Sequence, residues 1–157
     1  MLYNINMKII TKSTKETKDF GLRLAKKAQG GQIFALIGDL GGGKTYFTKG
    51  FAKGLGIKKV IQSPSFLLMK IYTIKKGRVK YFCHVDTYRL KNPKEILEIG
   101  LREYLGQLDT ITVIEWADKI KHILAPYPKT VLKFTFKDKN TRDIEITKTR
   151  SKKRAPI

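Results

Sequence analysis

The run Gly38-Asp39-Leu40-Gly41-Gly42-Gly43-Lys44-Thr45 fits G-x-x-x-x-G-K-[ST] at every fixed position, and no other stretch restricts the fold as strongly. The apolar stretch Gln32 to Ile37 before it reads as a buried strand, and Tyr46 to Leu55 after it reads as a helix. A strand, a glycine-rich loop and a helix in that order wrap a phosphate chain in backbone N–H groups. The helix N-terminus behind the loop adds partial positive charge and unpaired donors. Lys44 is expected to reach the β- and γ-phosphates, and the Thr45 hydroxyl to bind Mg²⁺. Chance could produce the eight-residue pattern, but the flanking strand and helix are where the mechanism needs them. Glycines at 41 and 42 suit a backbone that must come close to a ligand.

At 157 residues the chain is sized for one domain with a real core. We assign 7–147 to a single P-loop ATPase domain and 148–157 to a basic tail, expected to be disordered. No apolar run reaches membrane-span length, and the first residues lack the long apolar region of a secretion signal. With one cysteine, Cys83, no internal disulfide forms, which fits a reducing cytoplasm. Cys83 alternates with Tyr81 and Val85, as a buried core thiol would. The formal net charge is +20, a reason to consider acidic partners such as nucleic acid. Most of the basic residues are lysines, scattered over every segment, and the scatter argues equally for a compositional bias. The dense cluster Lys148 to Arg154 gives the tail two readings, a weak RNA contact or a solvated end.

Met7 to Thr11 reads as a first strand. Ser13-Thr14-Lys15-Glu16 fits a helix-opening capping box, and the helix places Phe20, Leu24 and Ala28 on one face before Gly30-Gly31 ends it. Beyond the glycine loop, Phe66 to Ile74 and Val79 to Val85 predict a hairpin turning at Lys75 to Arg78. Asn92-Pro93 opens a helix with Asn92 as its N-cap and Ile96, Ile99 and Glu103 at helical steps. Thr110 to Glu115 is a strand, Ala117 to Leu124 a short helix, and Thr130 to Phe136 with Arg142 to Thr147 a last hairpin. The resulting fold class is α/β: a three-layer P-loop NTPase fold, with a central mixed β-sheet, a parallel core, antiparallel additions and helices on both faces.

A phosphate-binding loop needs an acid to organise its metal, usually at the end of a second apolar strand. Glu115 and Asp86 both occupy such ends, and strand ends converge on the ligand crevice. His84 shares a strand face with Asp86. It either orients that carboxylate or the metal shell, or is a half-buried histidine satisfied by backbone. Arg89 reads as a phosphate-charge stabiliser or a structural ion pair, and Trp116 as a site shield or, preferred, a core residue. Ser65, in Ser63-Pro64-Ser65-Phe66, stands where a switch loop would sense the γ-phosphate; an ordinary proline turn is the other reading.

Taken together, the glycine loop, Ser63-Pro64-Ser65-Phe66, His84-Val85-Asp86-Thr87-Tyr88-Arg89-Leu90 and Ile114-Glu115-Trp116 resemble the TsaE (YjeE) family of bacterial P-loop ATPases. The match in order and spacing runs from about Thr11 to Thr147. The resemblance implies ATP and Mg²⁺ as cofactors and slow intrinsic hydrolysis in tRNA threonylcarbamoyladenosine (t6A) biosynthesis, with TsaB- and TsaD-type partners that stimulate it. It implies Thr45 and Glu115 as Mg²⁺ ligands and Asp86 as a catalytic or metal-organising acid beside Lys44. Gly41, Gly42, Gly43, Lys44, Thr45 and Tyr46 then bind nucleotide, with Thr14 and Arg142 bordering it. Three positions depart from the family pattern. Gly42 stands where Ala or Ser is common, which is expected only to loosen the loop. Ser65 replaces Thr, and Thr87 replaces Leu.

The alternative is a small P-loop metabolite or nucleoside kinase, although no lid segment and no second substrate site can be read. A GTP switch is disfavoured by the lack of N-K-x-D. A purely nucleic-acid-binding module would leave the glycine loop and its two acids unexplained.

Overall fold

The computed structural model describes residues 5–64 and 66–150. Seven strands form one sheet: β1 (Ile5–Thr11), β2 (Ile33–Gly38), β3 (Met69–Lys76), β4 (Val79–Asp86), β5 (Thr110–Glu115), β6 (Lys129–Phe136) and β7 (Arg142–Thr149), in the spatial order β1-β7-β6-β2-β5-β4-β3. The inner strands β6, β2, β5 and β4 are parallel, while β7 with β1 on one side and β3 on the other add antiparallel edges. The expected mixed sheet is therefore observed. Parallel strands are buried on both faces, so they read as continuous apolar runs; β5 is buried at every residue, from Thr110 to Glu115.

Helices α1 (Thr14–Lys27) and α2 (Lys44–Gly54) cover one face. The other carries the short α3 (Lys94–Glu98), α4 (Lys121–Leu124) and two 3-10 turns, Leu101–Glu103 and Ala117–Ile120. The core under α1 and α2 is an aromatic chain. Phe47 meets Phe20 at 5.6 Å, Phe51 at 5.8 Å and Phe134 at 5.7 Å; Phe51 meets Phe34 at 5.0 Å and Phe82 at 5.9 Å. Each such pair adds about 0.5–1.5 kcal/mol beyond its area burial. The chain ends at the His84 ring, stacked 6.1 Å from Phe82, so packing deep in the core orients a residue of the site. Cys83 faces the other layer, and burial pushes its thiol up to about 12, as expected of a core cysteine.

Helix propensity does not account for α2, whose eleven residues include Gly50 and Gly54. Each interior glycine costs about 1 kcal/mol relative to alanine. The reason lies across the helix pair. A Cβ on Gly50 would stand 1.9 Å from the Lys18 carbonyl oxygen, one on Gly54 2.5 Å from that of Leu22, and one on Gly21 2.2 Å from that of Phe47. The two helices touch backbone to backbone, and only glycine allows it. Gly50→Ala is accordingly expected to destabilise by about 1–3 kcal/mol, against the gain that propensity alone predicts. A urea midpoint at or above that of the parent protein would refute this account.

Four local expectations are corrected. Glu16 accepts from the Lys12 N–H at 2.7 Å, one residue before the expected box partner, while Ser13 caps the Glu16 N–H at 3.0 Å. The run from Phe66 is not extended until Met69: Phe66 and Leu67 are exposed and Leu68 sits at φ 63°. The helix after Asn92-Pro93 has Pro93 as its cap and stops after five residues, because Gly100 at φ 94° turns the chain into a 3-10 turn. Asn92 still helps to open it, its Oδ1 accepting the Lys94 N–H at 3.0 Å. Finally, β7 continues through Lys148 and Thr149, which pair with Thr130 and Lys129, two residues into the stretch assigned to the tail. Positions 151–157 and Ser65 lie outside the described residues. Among the described residues no helix is long and apolar enough to cross a membrane.

Candidate nucleotide-binding site

β2 delivers the chain to the glycine loop at the centre of the sheet's C-terminal edge, and α2 leaves it. Gly43 caps α2 at φ 101°, a left-handed conformation that side chains resist. The consequence is a row of free donors. Among the described residues, the N–H groups of Gly41, Gly43, Lys44, Thr45 and Tyr46 meet no acceptor, whereas those of Asp39 and Gly42 bond Phe134 and Asp39 oxygens. Unpaired amides at a helix N-terminus form an anion site. They line a cavity of about 90 Å³ bounded by Leu40 to Tyr46 and by Trp116. Gly42 does more than loosen the loop. A Cβ there would lie 2.9 Å from the Asp39 oxygen and 3.2 Å from Phe134 Cβ, so glycine lets the loop seat against β6.

Lys44 is 5% exposed, and its ammonium donates to the Gly38 oxygen at 2.9 Å and the Asp39 oxygen at 2.7 Å. It lies 4.0 Å from the centre of the Trp116 ring, a cation–π contact. Burial lowers its pKa below the ordinary lysine value, an effect that Glu115, Asp39, Asp118 and Asp86 oppose. Trp116 is thus a cover for the loop lysine and not the core residue preferred from sequence. Its backbone is left-handed, at φ 58°, and its ring packs 5.0 Å from Tyr88.

Glu115 is 2% exposed and joins three elements. Its Oε1 accepts from the Thr45 hydroxyl at 3.1 Å, and its Oε2 accepts from His84 Nε2 at 2.7 Å. Because Thr45 gives its proton to Glu115, the lone pairs of its oxygen are left for a cation. Of the readings of His84, the orienting one describes this geometry, but the carboxylate is that of Glu115 and not the expected Asp86; among the described residues Nδ1 is buried and has no partner. A hydroxyl and a carboxylate oxygen are hard donors that suit Mg²⁺, which takes few protein ligands and keeps waters and phosphates for the rest. Among the described residues no three His, Cys, Asp or Glu side chains form a metal cage.

Asp86 lies opposite Glu115 in the β4–β5 register, on the same side of the sheet. No hydrogen bond joins it to Thr45. Its Oδ1 accepts the Tyr88 N–H at 3.0 Å and its Oδ2 accepts the Ser63 hydroxyl. Ser63 was legible only as part of a loop, since its link to Asp86 spans 23 residues. Thr87 was also missed. Fully buried, it donates to the backbone oxygens of Glu115 at 3.1 Å and Trp116 at 2.6 Å, which tethers the β4 end to the β5 end. A hydroxyl where the family pattern has leucine was the available signal.

Arg142 joins the site from β7, its Nε donating to the Gly41 oxygen at 3.1 Å. Thr14 is exposed on the first turn of α1, a turn that meets the loop through Thr17, whose Cγ2 is 3.4 Å from a Cβ placed on Gly43. Tyr46 is 39% exposed at the cavity mouth. Arg89 holds its guanidinium 4.4 Å over the Phe66 ring and forms no ion pair among the described residues.

A family model described as threonylcarbamoyl adenosine biosynthesis protein TsaE matches residues 11–146. The tRNA threonylcarbamoyladenosine biosynthesis protein TsaE of Rickettsia prowazekii (strain Madrid E) is 39% identical over 137 residues, 87% of this chain and 91% of the relative. The protein of the same name from Bacillus subtilis (strain 168) is 38% identical over 138 residues, 87% of this chain and 81% of the relative. The crystal structure of Bacillus subtilis YdiB superposes with a TM-score of 0.72 at 33% identity, covering 94% of this chain and 88% of that one, and it shares the α/β P-loop NTPase-like fold. On this evidence the chain belongs to the TsaE family of threonylcarbamoyl adenosine biosynthesis proteins.

Proposed function

We propose that this protein binds ATP with Mg²⁺ and hydrolyses it slowly in support of tRNA t6A formation, and that TsaB- and TsaD-type partners stimulate the turnover. The observation that carries the reading is the junction of the free loop amides with the Thr45–Glu115–His84 chain. Five unpaired amides suit the oxygens of a phosphate chain. Thr45 and Glu115 would hold Mg²⁺, and bound there the ion neutralises developing phosphate charge. Lys44 exchanges loop carbonyls for anionic oxygen. His84 keeps the Glu115 carboxylate turned toward Thr45, Asp86 holds a second acid beside it on the neighbouring strand, and Trp116 limits water over the lysine. The names of the relatives support the pathway; the site supports the ATPase chemistry.

The test is ADP release by the purified protein alone, with the modification enzymes, and with candidate metabolite or nucleoside acceptors. The expected result is a low rate alone that rises with the modification enzymes. Turnover that depends on an added small acceptor, with a phosphorylated product, would replace this reading with a kinase.

A further inference from the structure

Six of the lysines that look scattered along the chain come together in space. Lys15 and Lys18 on α1, Lys49 and Lys53 on α2, and Lys58 and Lys59 just after α2 line one groove of about 640 Å³. Asp19 is the single acid among its lining residues. Among the described residues none of the six ammonium groups has a carboxylate partner, and the ion pairs that do form lie elsewhere. The groove starts at the nucleotide site: Tyr46 at the cavity mouth lies between Lys18, 5.5 Å from its ring centre, and Lys49, 5.9 Å away. At the far end Lys59 and Lys70 stand 5.5 and 5.1 Å from the Tyr72 ring, and a second hollow, lined by Lys58, Lys59, Lys70 and Lys75, continues the stripe.

We infer that this groove binds the phosphate backbone of an RNA, tRNA being the substrate class that the pathway supplies. One sign of charge along a groove is self-repelling and is relieved by a polyanion. An acidic protein surface is a poorer match, because protein interfaces set register by alternating complementary charges and buried aromatic or arginine anchors. Lysines on flexible stems, without a planar arginine fork, suit backbone contacts that carry no sequence information. The glycine-mediated contact of α1 with α2 brings the two lysine pairs to one groove; helices spaced by ordinary side chains would set them farther apart. The inference takes its choice of RNA from the pathway reading, but the binding itself needs no ATP hydrolysis.

The experiment measures binding of a fluorescent, unmodified tRNA transcript by anisotropy over a range of KCl concentrations, without nucleotide. It compares the full chain with the triple variants K18E/K49E/K53E and K91E/K94E/K121E. The second triplet changes the net charge equally on the opposite face, where all three lysines are exposed. The groove triplet is expected to lose at least about tenfold in affinity and to flatten the log–log salt slope by about two to three, while the control triplet stays within about threefold of the parent. Equal losses in both triplets would reduce the effect to net charge and overturn the inference. So would unchanged tRNA binding by the groove triplet, and if that triplet then lost binding to poly-L-glutamate, the groove would be assigned to an acidic protein. A milder K18Q/K49Q/K53Q variant, with melting monitored by circular dichroism, separates lost contacts from lost folding. ATP hydrolysis by the same variants, measured without RNA or partners, distinguishes failure of this inference from failure of the ATPase reading.

Discussion

Replacing Lys44 with methionine is expected to reduce ATP turnover by about 10²–10³-fold, the usual cost of removing one preorganised charge-stabilising donor. The structure shows why the loss should fall on chemistry and not on folding. The apolar stem of Lys44 is buried, and methionine keeps that stem under Trp116. What disappears is an ammonium bound to two carbonyls of an open loop, which water can satisfy afterwards. A melting midpoint within about 5 °C of the parent is therefore expected. Parent-level hydrolysis in Lys44→Met would sink the site assignment. The pH dependence follows from the same environment. Burial disfavours the charged form and lowers the pKa, so the neutral amine accumulates at a lower pH than for an ordinary lysine. ATP affinity should accordingly begin to fall at a less alkaline pH than free lysine would set.

Glu115 carries the second large effect, and here two variants separate two roles. Glu115→Gln keeps an oxygen and the side-chain volume, but it removes the charge that makes a metal ligand and puts a donor where an acceptor stood. Turnover should drop by about 10²-fold or more, the dependence on Mg²⁺ should weaken, and the fold should survive. Glu115→Ala also strands His84 Nε2, on a ring whose Nδ1 is already unpartnered among the described residues. Leaving a buried donor unsatisfied costs about 1–3 kcal/mol. Alanine should thus lose stability as well as activity, visible as an earlier urea transition. A Gln variant with normal Mg²⁺ dependence would show that the carboxylate holds no metal.

The elements legible in advance were those whose signal is local. β5 has the predicted bounds, Thr110 to Glu115, because a strand buried on both faces writes itself as a continuous apolar run. The glycine loop and the helix behind it carry their own grammar of turn and cap. Asp86 and Glu115 both end strands as read, and the β4–β5 register sets them side by side. Harder to foresee were links between distant segments. No local pattern tells that Ser63 reaches Asp86, or that Thr87 clasps the backbone after β5. Trp116 was read as core because large aromatics usually are; its left-handed backbone turns it over Lys44 instead. The predicted helix after Asn92 failed at Gly100, where a single positive φ outweighs a weak amphipathic pattern.

The amino-acid order alone determined the α/β class, the glycine loop with its lysine and hydroxyl, and the two strand-end acids. Each depends on a few adjacent residues whose backbone preferences and burial pattern are written in place. Tertiary structure decided which carboxylate meets Thr45 and what covers Lys44. It also decided that three glycines bring two helices into backbone contact, so that lysines far apart in sequence share one groove. Those outcomes depend on the distance between elements, and that distance is set by packing across the whole core.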